Sequence, residues 1–345
     1  MKIHLIIAAA LAFCSCGGNR HKASDPLTDN HRTQRTDNLL NNLKAYGDST
    51  VYLVGHHDDT VYGIGWQADY NNDSTVHQSS DVKAVCNDYP ALLGFDLEGI
   101  EKGSEVNQDG VPFKRIKEEI IAHFDRGGMV TLSWTVDGAD KQEADIERVA
   151  VFLNALETPY GVKVPVVFRL RGQFDKSLWQ NVVSQLKASE VVNVLYAYSP
   201  ANDPEGDETK YLENYPGDEL IDVLGVDCYC VAPDADTTQI AQYAERLDLN
   251  LSMVCRLAKQ RQKVVGLTET GYEGLKQKDW WTSTLAPVLA HHPVSYVLLW
   301  RNAHNQPSHF FAPYPGQKSS SDFIRFYNDR RTLFLSDVNG LYLQP

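Results

Sequence analysis

Runs of apolar, largely β-branched residues return along the chain with amphipathic stretches between them. They are VYLVGHH (51–57), ALLGFDLEG (91–99), MVTLSWTV (129–136), VPVVFRL (164–170), VVNVLYAYS (191–199), IDVLGVDCY (221–229), VVGLTET (264–270) and VSYVLLWRNA (294–303). Near-continuous apolar runs of this length suit parallel strands covered on both faces. The segments between them read as helices. PFKRIKEEIIAHFDRGG sets Phe113, Ile116, Ile120, Ile121 and Phe124 on one stripe, with Pro112 near its start and Gly127 just past its end. A second long segment repeats the pattern through Ile240, Tyr243, Leu247, Leu251 and Val254, and Trp280 and Trp281 are expected to open a helix, one of them packing the core. Strand and helix alternating in eight units predict an α/β fold, a single (β/α)8 TIM barrel. The competing doubly wound sheet lacks its mark, because no GxGxxG follows the first run.

Each run is apolar first and polar last. In a (β/α)8 barrel the C-terminal strand ends build the active site, so these polar ends are predicted to share one rim: His56 and His57, Asp96 and Glu98, Trp134, Arg169, Tyr198, Asp227 and Tyr229, Glu269, Trp300 and Arg301. Flat aromatics beside hydroxyl-binding groups suit a sugar, and Trp134 and Trp300 are the expected platforms. Glu269 reads either as a catalytic carboxylate or as the ion-pair partner of Arg169 or Arg301. Asp227 and Tyr229 share one strand face by period-two alternation. Tyr229 either orients a neighbouring carboxylate or is a core tyrosine. The HHDD run (56–59) predicts no metal site, since adjacent strand residues point to opposite faces. No P-loop or GxSxG elbow is present.

Composition narrows the partners. A net charge of −13 argues against nucleic acid, whose phosphates call for clustered Lys and Arg. Cys86, Cys228, Cys230 and Cys255 show no paired CxxC spacing for zinc and are expected to be free thiols. The start, MKIHLIIAAALAFCSCGG, has a basic opening and an apolar run too short to span a bilayer. It resembles a lipoprotein signal (1–15) with Cys16 as the lipidated residue, so the protein is expected to be exported and held by a lipid anchor on a bacterial cell-envelope membrane, periplasmic or cell-surface face. Residues 16–37 are polar and read as a flexible tether. No linker divides the rest, so 38–345 is expected to be one domain and a monomer.

Several segments together resemble glycoside hydrolase family 26, best known for endo-β-1,4-mannanases: VGHHDDTVYGIGW, GVPFKRIKEEIIAHFDRGGMVTLSW, VNVLYAYSP, YPGDELIDVLGVDCY, LTETG, LLWRNA and HFFAPYPGQKSSSDFIRFYNDRRTLFLSD. The resemblance runs from about residue 50 to 343. It implies a (β/α)8 barrel, a retaining double displacement by two glutamates, no cofactor, and a β-mannan or related β-glycan as partner. It implies Glu269 as nucleophile, Tyr229 as the group that holds it, Trp300 as the floor of the cleavage subsite, and Arg169 as the arginine of the family's FR pair. His56, Asp227 and Arg301, with Trp134, are expected to bind substrate. The acid/base lies in a motif like FRPxHE, but here FRLRGQ puts Gly172 in the histidine's place and Gln173 in the acid's. Thr135 stands where a histidine usually follows SW, and the loops after the third strand and after Gln173 look shortened. Asp175 is the nearest alternative acid. Two expectations follow: a weak or altered mannanase, or a β-glycan binder on a degenerate hydrolase barrel.

Overall fold

A computed structural model describes residues 25–137, 143–201, 203–230 and 234–345, apart from the side chains of residues 137, 143, 144 and 173. Eight parallel strands follow the eight apolar runs: β1 Tyr52–His57, β2 Leu92–Asp96, β3 Met129–Asp137, β4 Val166–Gln173, β5 Val194–Tyr198, β6 Val223–Cys230, β7 Val264–Tyr272 and β8 Tyr296–Leu299. Each pairs with the next, and β8 returns to β1 with Leu53 opposite Tyr296, which closes the barrel. Closure leaves none of the eight barrel strands as a free edge. The helices Phe113–Asp125 and Thr237–Arg261 lie where the periodicity puts them. Trp280 and Trp281 are both fully buried, so the core takes two indoles where one was expected.

Strand alternation sorts the core into two layers. Leu53, Leu92, Met129, Val167, Leu195, Val223, Tyr296 and Leu298 fill the barrel interior at its closed end. Leu39 and Leu43 of the first helix, Gln34–Asp48, and Val338, Leu341 and Tyr342 near the C-terminus plug that end from below. The alternate strand residues, such as Val54, Leu132, Phe168 and Val226, pack outward against the helices.

The ordered fold begins earlier than the pattern of polar residues suggested. Leu27 bridges Thr33, the Thr33 amide donates to the Val192 carbonyl, and Arg32 pairs with Asp222 at 2.8 Å. Thr33 also caps the first helix. The tether expected over 16–37 is therefore structured from residue 25 onward, because its polar groups are spent on the barrel floor rather than on solvent. The signal segment and Cys16 lie outside the described residues. Cys86, Cys228, Cys230 and Cys255 are free.

A buried charge cluster under the outer layer makes stability depend on pH. The His77 and His123 rings meet Nε2 to Nδ1 at 2.9 Å, and Glu119 accepts the His77 amide at 2.9 Å and Arg115 Nε at 2.8 Å. Burial pushes His77 down to about 2 and His123 down to about 4, and it raises Glu119 to about 7. Both imidazoles are thus neutral in the fold, and their contribution is lost as pH falls below the unfolded histidine value of ~6.5. The raised Glu119 acts oppositely and loses its contribution as pH rises from ~4.3 toward 7. Between about pH 4.5 and 6.5 the unfolded chain binds one more proton from the three groups. Stability from this cluster should then climb by roughly 1.4 kcal/mol per pH unit. Urea unfolding of His77→Gln at pH 5 and 6.5 should show that slope removed.

Candidate active site

Glu269 owes its position to one irregularity in β7. The register of β6 against β7 runs Val226 to Leu267 and then Asp227 to Glu269, so Thr268 is an extra residue. The same strand slips against β8 between Val297 and Leu299. Val264 belongs to the interior layer and Val265 and Leu267 to the outer one. Unbroken alternation would send Glu269 out to the helices. The bulge re-phases the strand, as such insertions do. Thr268 and Glu269 both serve the barrel interior, and Thr270 turns out to meet the Tyr243 hydroxyl at 2.7 Å. Gly225 makes room for this, since a Cβ there would lie 2.5 Å from the Thr268 methyl.

Around Glu269 the rim forms a charge network. Tyr229 donates its hydroxyl to Glu269 Oε2 at 2.5 Å. Burial, with Asp227 nearby, raises the Tyr229 hydroxyl well above the ordinary tyrosine range, so it stays a donor. Glu269 Oε1 takes an ion pair from Arg169 Nη2 and a second from Arg171 Nε at 3.3 Å. Arg169 also gives Nη1 to both Asp227 oxygens, at 2.8 and 2.9 Å, and Thr268 and Ser199 hydroxyls donate to the same Asp227. Arg171 reaches across to Asp96 at 2.9 Å, where the Gln108 amide and the Glu98 backbone N–H also arrive. Burial opposes the Arg171 charge, but Asp96, Asp227 and Tyr229 outweigh it and raise its pKa. Beside this network opens a cavity of about 400 Å³ lined by Thr135, Arg171, Gly172, Asp203, Asp227, Tyr229, Arg246 and Glu269.

The aromatic side of the rim is Trp300. Its ring lies 4.4 Å from His57, stands edge-on to Tyr229 at 6.4 Å, and carries the Arg171 guanidinium 4.8 Å from its centroid. His57 in turn bonds Asp58, which takes the Tyr62 hydroxyl, and Tyr62 receives Arg301 at 3.3 Å. Arg301 is anchored at 2.9 Å by Asp109. Arg301 therefore belongs to the network that backs His57.

Three expected rim residues lie elsewhere. Trp134 is fully buried in the outer layer and donates its indole N–H to Glu101 at 3.2 Å, so it offers no face to a sugar. His56 is the wrong histidine of its pair: it points away from the interior and bonds Asp59 at 2.6 Å, while His57 meets Trp300. Tyr198 also faces outward and bonds the Tyr211 carbonyl. All three carry even residue numbers in strands whose odd-numbered residues face inward, a phase that each run's interior residues make legible once one is known. Phe311, which stacks edge-on to Tyr229 at 5.8 Å, comes from a loop with no periodic signal.

A solved family 26 β-mannanase from Bacteroides ovatus shares 39% identity with this chain, covering 90% of it and 98% of that protein, with a TM-score of 0.80. This chain belongs to glycoside hydrolase family 26. The family model for glycosyl hydrolase family 26 matches residues 135–265. A solved Cellulomonas fimi endo-β-1,4-mannanase double mutant is 25% identical, with a TM-score of 0.75 over 92% of this chain and 79% of that one. A mannan endo-1,4-β-mannosidase of Bifidobacterium adolescentis is 27% identical over 92% of this chain, which spans only 36% of that relative's length.

In this family 26 chain the position that the FRPxHE motif gives to the acid is the last residue of β4, Gln173, whose side chain lies outside the described residues. Gly172 before it holds a φ of +84°, a conformation that would strain the histidine of that motif. Asp175, the nearest alternative acid, is committed to a helix cap. It is exposed, caps the helix Lys176–Ala188 and accepts the Leu178 N–H at 2.8 Å. That N–H and the Ser177 hydroxyl lower its pKa, the opposite of what an acid catalyst needs.

Replacing Tyr229 by phenylalanine removes a hydrogen bond to an ionised carboxylate, an interaction worth roughly 1.5–3 kcal/mol. Glu269-dependent turnover should fall on the order of 10- to 100-fold in Tyr229→Phe, read as kcat with substrate affinity retained.

Proposed function

We propose that this chain binds β-mannan-type glycans along the Trp300 rim and carries the nucleophilic half of the family's retaining reaction. The observation that supports this most is the clamp on Glu269, with Tyr229 on one oxygen and the Asp227-held Arg169 on the other. Glu269 would attack the anomeric carbon, and the glycosidic oxygen would leave with the bonding electron pair. Water would then release the sugar from the enzyme with net retention, as in the retaining scheme. That scheme also needs a second carboxyl about 5–5.5 Å away to protonate the departing oxygen. With Gln173 at that position and Asp175 committed to a helix cap, the leaving oxygen receives no proton from either. Hydrolysis of ordinary mannan should therefore be weak.

Leaving-group chemistry tests this directly. An aryl β-mannobioside with an acidic phenol needs no protonation and should be cleaved far faster than unactivated β-1,4-manno-oligosaccharides. Both activities should vanish in Glu269→Gln. The second reading, a non-catalytic β-glycan-binding protein, is favoured by glutamine at 173 and by the arginine lying on Trp300. Failure to cleave the aryl substrate, together with manno-oligosaccharide binding by calorimetry, would select it.

The N-terminal segment supports an exported protein anchored through Cys16. Membrane-fraction recovery that is lost in Cys16→Ala would bear on that part.

A further inference from the structure

We infer that Arg171 is a self-ligand of the cleavage subsite: it takes the place of a sugar ring on Trp300, and it must swing away before a glycan binds. The inference rests on the glycan reading above. The Arg171 guanidinium carbon lies 4.8 Å from the Trp300 ring centroid, which is stacking distance for a planar cation on an indole. A pyranose stacking its C–H face on the same ring needs the same volume. The two cannot share the face on which the guanidinium lies.

The arginine is held there by its other bonds. Nη1 is 2.9 Å from the buried Asp96, and Nε is 3.3 Å from Glu269 Oε1. It is not sealed in, since its side chain is 24% exposed whereas Arg169 is only 2% exposed. Arg169 is locked by Asp227, so only Arg171 has an open side through which to leave. Its departure would do two things at once. It would clear the stacking face, and it would take one of two positive charges off Glu269 Oε1, leaving the carboxylate with Arg169 and Tyr229. Sugar entry and unmasking of the nucleophile are thus one event. Because the binding-competent state must first be populated, apparent glycan affinity is reduced by the closed fraction.

The test uses the described chain from residue 25 onward, with β-1,4-mannohexaose in calorimetry and acrylamide quenching of tryptophan emission. Trp134, Trp179, Trp280 and Trp281 are buried, so the quencher reads Trp300 and Trp66. Arg171→Ala should bind mannohexaose at least about tenfold more tightly than the parent chain, and Trp300→Ala should lose binding. Quenching should rise in Arg171→Ala, and the rise should be absent when Trp300→Phe is added. Asp96→Asn combined with Arg171→Ala removes the carboxylate that the arginine would leave unpaired, and keeps the test valid if the single variant folds poorly. Equal or weaker binding by both Arg171 variants, while Trp300→Ala still loses the sugar, overturns the inference and leaves the glycan reading standing. Unchanged quenching overturns it regardless of sugar. If no variant binds mannohexaose while quenching rises only where Arg171 is gone, the arginine cover stands and the β-mannan assignment is what falls.

Discussion

Gln173→Glu is expected to raise kcat/KM on unactivated β-1,4-manno-oligosaccharides by roughly 10²–10⁴-fold, the usual contribution of a positioned general acid. The two side chains are nearly the same shape, so the exchange changes proton chemistry with little change in volume. Position 173 ends β4, two residues beyond Arg171, opposite Asp137 of β3. That places it at the end of the strand that carries Arg169, on the same rim of the barrel as Glu269. The gain should be specific. An aryl β-mannobioside with an acidic phenol already leaves without a proton, so its first step should change little in the same variant. Glu269→Gln added to Gln173→Glu should return both substrates to background. Reducing-sugar release and phenol release, followed side by side, provide the check. Equal rates for Gln173→Glu and the parent chain would mean that position 173 does not face the leaving oxygen. The glycan-binding reading would then be preferred.

Asp227→Ala should destabilise the fold by about 3–5 kcal/mol, the cost of removing one partner from a buried ion pair. Arg169 is only 2% exposed, and Asp227 takes its Nη1 through both oxygens. Without Asp227 that guanidinium keeps Glu269 alone, and the Thr268 and Ser199 hydroxyls that donate to Asp227 lose an acceptor. Asp227→Asn retains an oxygen for those hydroxyls and should cost less. The urea midpoint should therefore order as parent, Asp227→Asn, Asp227→Ala, with a fall in Glu269-dependent turnover in the same order. A shift below about 1 kcal/mol for Asp227→Ala would show that Arg169 finds water or another carboxylate.

The barrel itself was legible because it follows from local patterning. Eight apolar runs with amphipathic stretches between them have few ways to bury their faces, and the right-handed alternation of strand and helix closes them into one ring. The polar end of each run marked the rim for the same reason: a buried strand ends where water begins. Glu269, Tyr229, Arg169, Asp227 and Trp300 all stand at such polar ends, and the family resemblance implies the roles of all but Asp227, which the structure turns from a substrate binder into the anchor of Arg169.

What the pattern of residues did not determine is phase. A continuous apolar run does not say which of two adjacent residues faces in, so it allows His56 in place of His57 and Trp134 as a sugar platform. The two layers of the core settle that choice, because one interior neighbour sets the face of every second residue. The β7 bulge goes further. Counting alternation along VVGLTET puts Glu269 on the helix side, and only the pairing of Val226 with Leu267 and Asp227 with Glu269 shows Thr268 inserted. Register is a relation between strands, and no single strand contains it. The same holds for Arg171. Alternation places it beside Arg169, but its seat on Trp300, between Asp96 and Glu269, depends on four strand ends meeting across a closed barrel. The sequence by itself determined the fold, the rim and the residue types that reach it. Tertiary structure decided which of them meet, because facing and contact across the barrel are set by closure and register rather than by order along the chain.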